Sequence, residues 1–144
     1  VFVAVIGGDL SRFRVARDIG PVLGFTPKQD QSGTIDKQLH ETKAGDKLMR
    51  RLLVEGANVI MKENARDTDL KLKGYRICMR GGKISKAKAK IAVARALAVT
   101  MTALLMKPDM KYVPLSERAE REFAWLREEE ARRQQAKAGK PNMA

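Results

Sequence analysis

Two stretches of this sequence set reactive and anion-holding side chains at short spacing. In the first, Asp30-Gln31-Ser32-Gly33 is followed by Thr42-Lys43-Ala44-Gly45-Asp46 and then Arg50-Arg51. Ser32 offers a hydroxyl that can act as a nucleophile, and Gly33 beside it leaves room for a bulky group and lets the backbone turn. Taken alone, the same pair is an ordinary turn dipeptide. A serine hydroxyl attacks only when a base or a metal lowers its proton affinity, and no Ser-His-Asp spacing is apparent, so the activating groups are expected from elsewhere. Lys43, Lys47, Arg50 and Arg51 open a helix beside that loop. Their charges and the free N–H groups of the helix start could hold phosphates near Ser32, or simply form a solvated basic face. Asp46 reads as a helix-start residue rather than a metal ligand.

The second stretch is Arg80-Gly81-Gly82-Lys83 leading into Lys86, Lys88, Lys90 and Arg95. A double glycine flanked by cations lets backbone and side chains approach a phosphate ridge together, and such contacts position nucleic acid without reading its sequence. His40 and Cys78 are the sole imidazole and thiol. Zinc is therefore excluded, and Asp30 and Asp36 read as turn residues rather than a two-metal site. No cofactor or metal is assigned to these residues.

The elements that must position these groups read as helices. Val1 to Ile6 is apolar and β-branched, yet is taken as the end of a helix; Gly7-Gly8-Asp9 breaks it, and a short amphipathic stretch around Phe13 and Ile19 runs to Gly20-Pro21. From Gly24 to about Glu41 no helical period is present, so a long loop is expected, with room for a short hairpin around Gly33-Thr34. Ala44 to Glu63 is a helix packing through Leu48, Leu52, Val59 and Ile60. Thr68 with its flanking aspartates caps a helix through Met79 that Gly81-Gly82 ends, and Ile84 to Met106 forms a third long helix stopped by Pro108. Ser116 to Lys137 is a charge-laced helix with Glu117/Arg121, Glu128/Arg132 and Glu129/Arg133 at supporting spacing. Residues beyond Ala138 are expected to be disordered. The methionines, Met49, Met61, Met79, Met101 and Met106 among them, read as core filler.

Composition sets the partner. With 144 residues the chain fits one ordinary domain, and 29 Lys and Arg against 17 Asp and Glu leave +12 and a pI near 10.1. Such a bias attracts polyanions, and 5% aromatics argues against base stacking as the main binding mode. Residues 1–114 carry +11 of that charge, so the tail is nearly balanced. One cysteine suits a reducing compartment, and no apolar run approaches membrane-span length, so a soluble, cytoplasmic protein is expected. The chain opens on Val1 without an initiator methionine and reads as a fragment.

The order of these parts resembles one family. Leu23-Gly24-Phe25-Thr26-Pro27, the serine-glycine pair, Thr-Lys-Ala-Gly-Asp and Met49-Arg50-Arg51-Leu52-Leu53 are similar to the C-terminal domain of the DEDD or Piv-type insertion-sequence transposases. Arg80 to Lys83, Lys86-Ala87-Lys88, Ala92 to Val99 and Tyr112-Val113-Pro114-Leu115 are similar to that domain's later part. The resemblance covers roughly residues 1 to 115. It implies an all-α, compact helical domain (1–115) with a long nucleophile-bearing loop, followed by a projecting charged helical tail (116–144). It further implies that Ser32 is the nucleophile joining a DNA phosphate, and that the nucleic-acid surface comprises Lys43, Lys47, Arg50, Arg51, Arg80, Lys83, Lys86, Lys88 and Lys90. Mg2+ is expected in an N-terminal RNase-H-like domain absent from this chain, with DNA, a structured guide RNA and further copies of the protein as partners. His40-Glu41 departs from the family pattern, where an arginine and an apolar residue are common. The alternative class is a nucleic-acid-binding or oligomerisation domain without chemistry; a third is a protein–protein module built on the tail helix.

Overall fold

The computed structural model of the chain describes residues 1–32, 35–41 and 45–138, and at 27–32, 35–41, 133, 137 and 138 it describes the backbone alone. The elements are α1 (Phe2–Ile6), a 3-10 turn (Ala16–Asp18), α2 (Ile19–Val22), β1 (Pro27–Ser32), β2 (Ile35–Glu41), α3 (Lys47–Ile60), α4 (Asp69–Met79), α5 (Ser85–Met106) and α6 (Glu117–Ala138). The core is all-helical, as the resemblance implies. The stretch expected as a long loop is instead mostly a two-stranded antiparallel hairpin, β1 against β2, with a register shift between Pro27 and Gln29. The disorder expected beyond Ala138 lies outside the described residues.

Local chemistry explains where the helices start and stop. Asp46 caps α3 by accepting from the Met49 N–H (2.6 Å), and Thr68 Oγ1 caps α4 by accepting from the Lys71 N–H (3.1 Å). Gly7, with φ 84°, ends α1, and the Arg12 guanidinium donates to the Ile6 carbonyl left open there. Pro21 sits in the first turn of α2, where a missing N–H costs nothing.

The central helix is α5, which packs against α2, the 3-10 turn, α3 and α4. Its Ala89, Val93, Ala94, Ala98 and Thr102 are buried, and Phe2, Ile6, Phe13, Ile19, Leu23, Phe25, Met49, Leu53 and Ala57 complete the main core. Contrary to the reading of apolar runs in the sequence, α5 is long and apolar enough by length and composition to cross a membrane. It meets that test because small apolar residues surround its axis, as a helix with neighbours on several sides requires.

The packing face of α3 also differs from expectation. Met49, Leu53 and Ala57 point inward, whereas Leu48, Leu52 and Val59 are exposed. Gly56 lets α5 come close, since a Cβ there would stand 3.1 Å from Leu97 Cδ2. Close approach of helices selects the small residues, and the bulkier aliphatics are turned out. Met49 is core filler as expected, but Met79 is exposed.

A second, smaller cluster joins Leu72 of α4 to Ala119, Phe123 and Leu126 of α6, flanked by Tyr75 and Leu115. Tyr75 and Phe123 meet edge to face at 6.2 Å, and Arg76 pairs with Glu122 and Arg127 with Asp67 across the same junction. Beyond Arg127 the described residues of the helix include surface pairs such as Glu128–Arg132.

Candidate nucleic-acid interface

Ser32 is the last residue of β1 and its Cα partner is Ile35, so it stands on the closing pair at the hairpin tip. Behind it Gln31 pairs with Asp36 and Asp30 with Lys37. The hairpin is placed by its base. On the incoming side Leu23 and Phe25 are buried, Gly24 takes φ 70°, and the Phe25 N–H donates to the Gly20 carbonyl at 3.0 Å. On the outgoing side Gly45 takes φ 103° and lies against the end of α2: a Cβ there would stand 2.3 Å from the Val22 carbonyl oxygen. The Asp46 cap starts α3 immediately afterwards, which is the helix-start role expected of it. Phe25 before the hairpin and Gly45 after it thus both contact the same short helix, and the strand ladder from Pro27 leads to Ser32.

Of the cations expected beside Ser32, Lys47 and Arg51 are exposed and Arg50 is half-buried, its Nη1 reaching the Leu23 carbonyl at 3.5 Å. Lys43 lies outside the described residues, as do Gly33 and Thr34. At the second stretch Gly81 and Gly82 take φ 74° and 102°, with open space around both Cβ positions, and Arg80, Lys83, Lys86, Lys88 and Lys90 are all exposed. Among the described residues none of these five cations has a carboxylate within salt-bridge distance.

The fold does not merge the two stretches. Gly56 of α3 abuts Leu97 of α5, and Met61, past the end of α3, meets Val93 across Gly74 of α4, so α3 and α5 run in opposite senses where they touch. Their basic N-terminal turns therefore leave the contact in opposite directions.

A third group of cations has no spacing signal in the sequence. Arg17 of the 3-10 turn and Arg95 of α5 lie near enough to Lys73 of α4 for their charges to act on it, the turn and α4 both packing on α5. Partial desolvation first, then the charges of Arg95 and Arg17, hold the ammonium of the otherwise exposed Lys73 below the ordinary lysine pKa. Sequence reasoning placed Arg95 with the α5 lysines and passed over the other two. Among the described residues no group of three His, Cys, Asp or Glu side chains converges to hold a metal.

Part of the chain is similar to known proteins. A Pseudomonas aeruginosa protein named "Probable family 20 transposase" is 34% identical over 67 residues, covering 46% of this chain and 20% of its own length. The Coxiella burnetii "Transposase for insertion sequence element IS1111A" is 31% identical over 64 residues, covering 44% of this chain and 18% of its own. The chain thus spans about a fifth of the length of these curated relatives. No solved structure matches it. The basic stretch from Arg80 to Lys90 lies beyond the matched family segment, whereas the hairpin, Ser32 and α3 lie within it: residues 1–71 match the model of the Transposase IS116/IS110/IS902 family.

Proposed function

We propose that this chain is the C-terminal, nucleophile-bearing part of a DEDD or Piv-type insertion-sequence transposase, and that it takes part in DNA strand exchange with Ser32 as nucleophile. The observation that supports this most is the position of Asp30-Gln31-Ser32 at the end of the first strand of a hairpin whose base rests on the core, within the segment similar to transposases. A tip carried on a fixed base can bring a hydroxyl to a phosphate held by another domain. In the proposed step a bond forms between Ser32 Oγ and phosphorus as the bond from phosphorus to the leaving sugar oxygen breaks. The serine proton is lost to a base, and the sugar oxygen leaves as a hydroxyl on taking a proton from a general acid or water. Joining reverses the exchange with a hydroxyl from another strand. Mg2+ bound by an RNase-H-like domain in the full-length protein would stabilise the charge on the phosphate. The exposed cations of α3 and α5 would hold DNA and a structured guide RNA in a multimeric complex.

The test is a trapping experiment on the full-length transposase with end-labelled element DNA. The native protein should form a protein–DNA adduct that survives denaturation, and Ser32→Ala should abolish both adduct and joining while retaining DNA binding. An adduct of undiminished yield in Ser32→Ala would sink the nucleophile assignment; absence of any adduct in the native protein, with binding intact, would favour the non-catalytic nucleic-acid-binding alternative.

A further inference from the structure

We infer that Arg17, Lys73 and Arg95 form a seat for the phosphodiester backbone of a nucleic acid, midway along α5 and separate from the lysines at its start. The inference rests on the nucleic-acid-binding reading above and gives that binding a location which sequence spacing does not suggest.

The geometry is built rather than incidental. Arg95 lies over Gly20 of α2, where a Cβ would stand 2.9 Å from its Nε and 3.2 Å from Nη2. The missing side chain at Gly20 is what makes the slot for the guanidinium. Arg17 sits three residues before Gly20, in a turn that packs on both α2 and α5, and Lys73 comes from α4 on the neighbouring side of α5. Three elements thus deliver one cation each. The nearest carboxylate in sequence, Asp18, is engaged elsewhere, since its Oδ2 accepts from the Arg14 and Val15 N–H groups at 3.0 and 3.1 Å. Among the described residues the charged groups that act on the Lys73 ammonium are Arg95 and Arg17, and both disfavour its charge, as does its partial desolvation. Among the described residues none of the three has a carboxylate within salt-bridge distance, so the like charges repel one another, and an anion arriving among them relieves that repulsion.

The anion is a polymer rather than a single phosphate because the cations continue along the helix. Lys88 lies seven residues before Arg95 and so shares its face of α5, about 10 Å away along the axis. A nucleic acid strand carries a charge every few ångströms and spans that distance, whereas one phosphate does not.

The test uses the full 144-residue chain. Affinity for a DNA duplex of about 20 base pairs and for an RNA hairpin of similar size is followed by fluorescence anisotropy over a salt series. The triple variant Arg17→Gln, Lys73→Gln, Arg95→Gln should lower the log–log salt slope by roughly 2 to 3 for whichever polymer occupies the seat. Gly20→Ala, which keeps every charge but displaces the flexible guanidinium head, should weaken binding several-fold. Lys83→Gln, Lys86→Gln, Lys90→Gln is the comparison. A slope that falls in this last variant but not in the seat variant overturns the seat alone; a slope unchanged in both overturns the nucleic-acid reading with it. Amine-reactive footprinting of the unmutated chain removes any dependence on variant folding: saturating nucleic acid should protect Lys73, and full reactivity at saturation overturns the seat. Equal protection by inorganic phosphate at the same phosphate concentration would overturn the polymer assignment.

Discussion

Gly45 follows the hairpin that carries Ser32 and abuts the end of α2. Its φ of 103° and the Val22 carbonyl oxygen 2.3 Å from its Cβ position allow no side chain. Gly45→Ala should therefore cost about 2–4 kcal/mol in urea denaturation, from strain and forced displacement of α2, whereas Ser32→Ala should stay within about 0.5 kcal/mol. A Gly45→Ala stability equal to that of the unmutated chain would show that the hairpin base is not clamped. Lys71 is the other residue whose role is hidden in its letter. It is 3% exposed, and its ammonium donates to the Glu63 and Ala65 carbonyls at 3.1 and 2.6 Å with Asp67 at 3.5 Å. In the sequence it is one more lysine in a basic protein, because its main partners are backbone carbonyls, which leave no signature in residue type. Lys71→Ala should destabilise the fold by about 2–4 kcal/mol, since it strips donors from a buried turn and leaves a cavity, and Lys73→Ala should barely register in the same measurement.

Elements with strong local signals were legible, and those settled by packing were not. Thr68, the glycine pair at 81–82 and the extent of α5 are read from capping and punctuation, which act within a few residues. The buried face of α3 was misread because hydrophobicity alone favours Leu48 and Leu52, while the α5 contact favours the small surface at Gly56 and Ala57. The hairpin was read mainly as loop because Asp30, Gln31, Asp36 and Gln38 carry little strand propensity. The attachment of α6 likewise depends on partners distant in sequence. The Arg76 hydrogen bond, foremost among the causes, holds the Glu122 carboxyl below its ordinary value of 4.5. A carboxyl whose folded pKa is depressed contributes stability above its unfolded pKa and loses it as pH falls through the folded value. Amide exchange in α6 should accelerate as pH drops below about 4.5, after correction for intrinsic rates, and Glu122→Gln should flatten that dependence. The pair is largely solvent-facing, so the effect should not exceed about 1 kcal/mol. An unchanged pH profile in Glu122→Gln would assign the docking wholly to Phe123 and Leu126.

The whole molecule is a large core around α5 with a small satellite core joined through α4, since Leu70 packs on the first and Leu72 on the second. Composition made the charge imbalance between body and tail visible, yet it could not show that the body's cations lie on separate faces, because that follows from helix direction. The two cores differ in depth: four buried residues, Leu72, Ala119, Phe123 and Leu126, anchor α6. A helix held so sparsely opens before the rest, so α6 amides should lose protection at lower urea than those of α5. Deleting residues 116–144 should accordingly leave the α5 transition in place, with some loss where Leu72 and Tyr75 become uncovered. It should also leave the salt slope of nucleic-acid binding within about one unit of the full chain, because those residues carry only +1 of the total charge. Unfolding of α5 on deletion would show that the satellite core supports the main one. A slope reduced as strongly as by the cation substitutions would place the nucleic-acid surface on α6, where Arg121, Arg127 and Arg132 would then have to leave Glu117, Asp67 and Glu128 to meet phosphate.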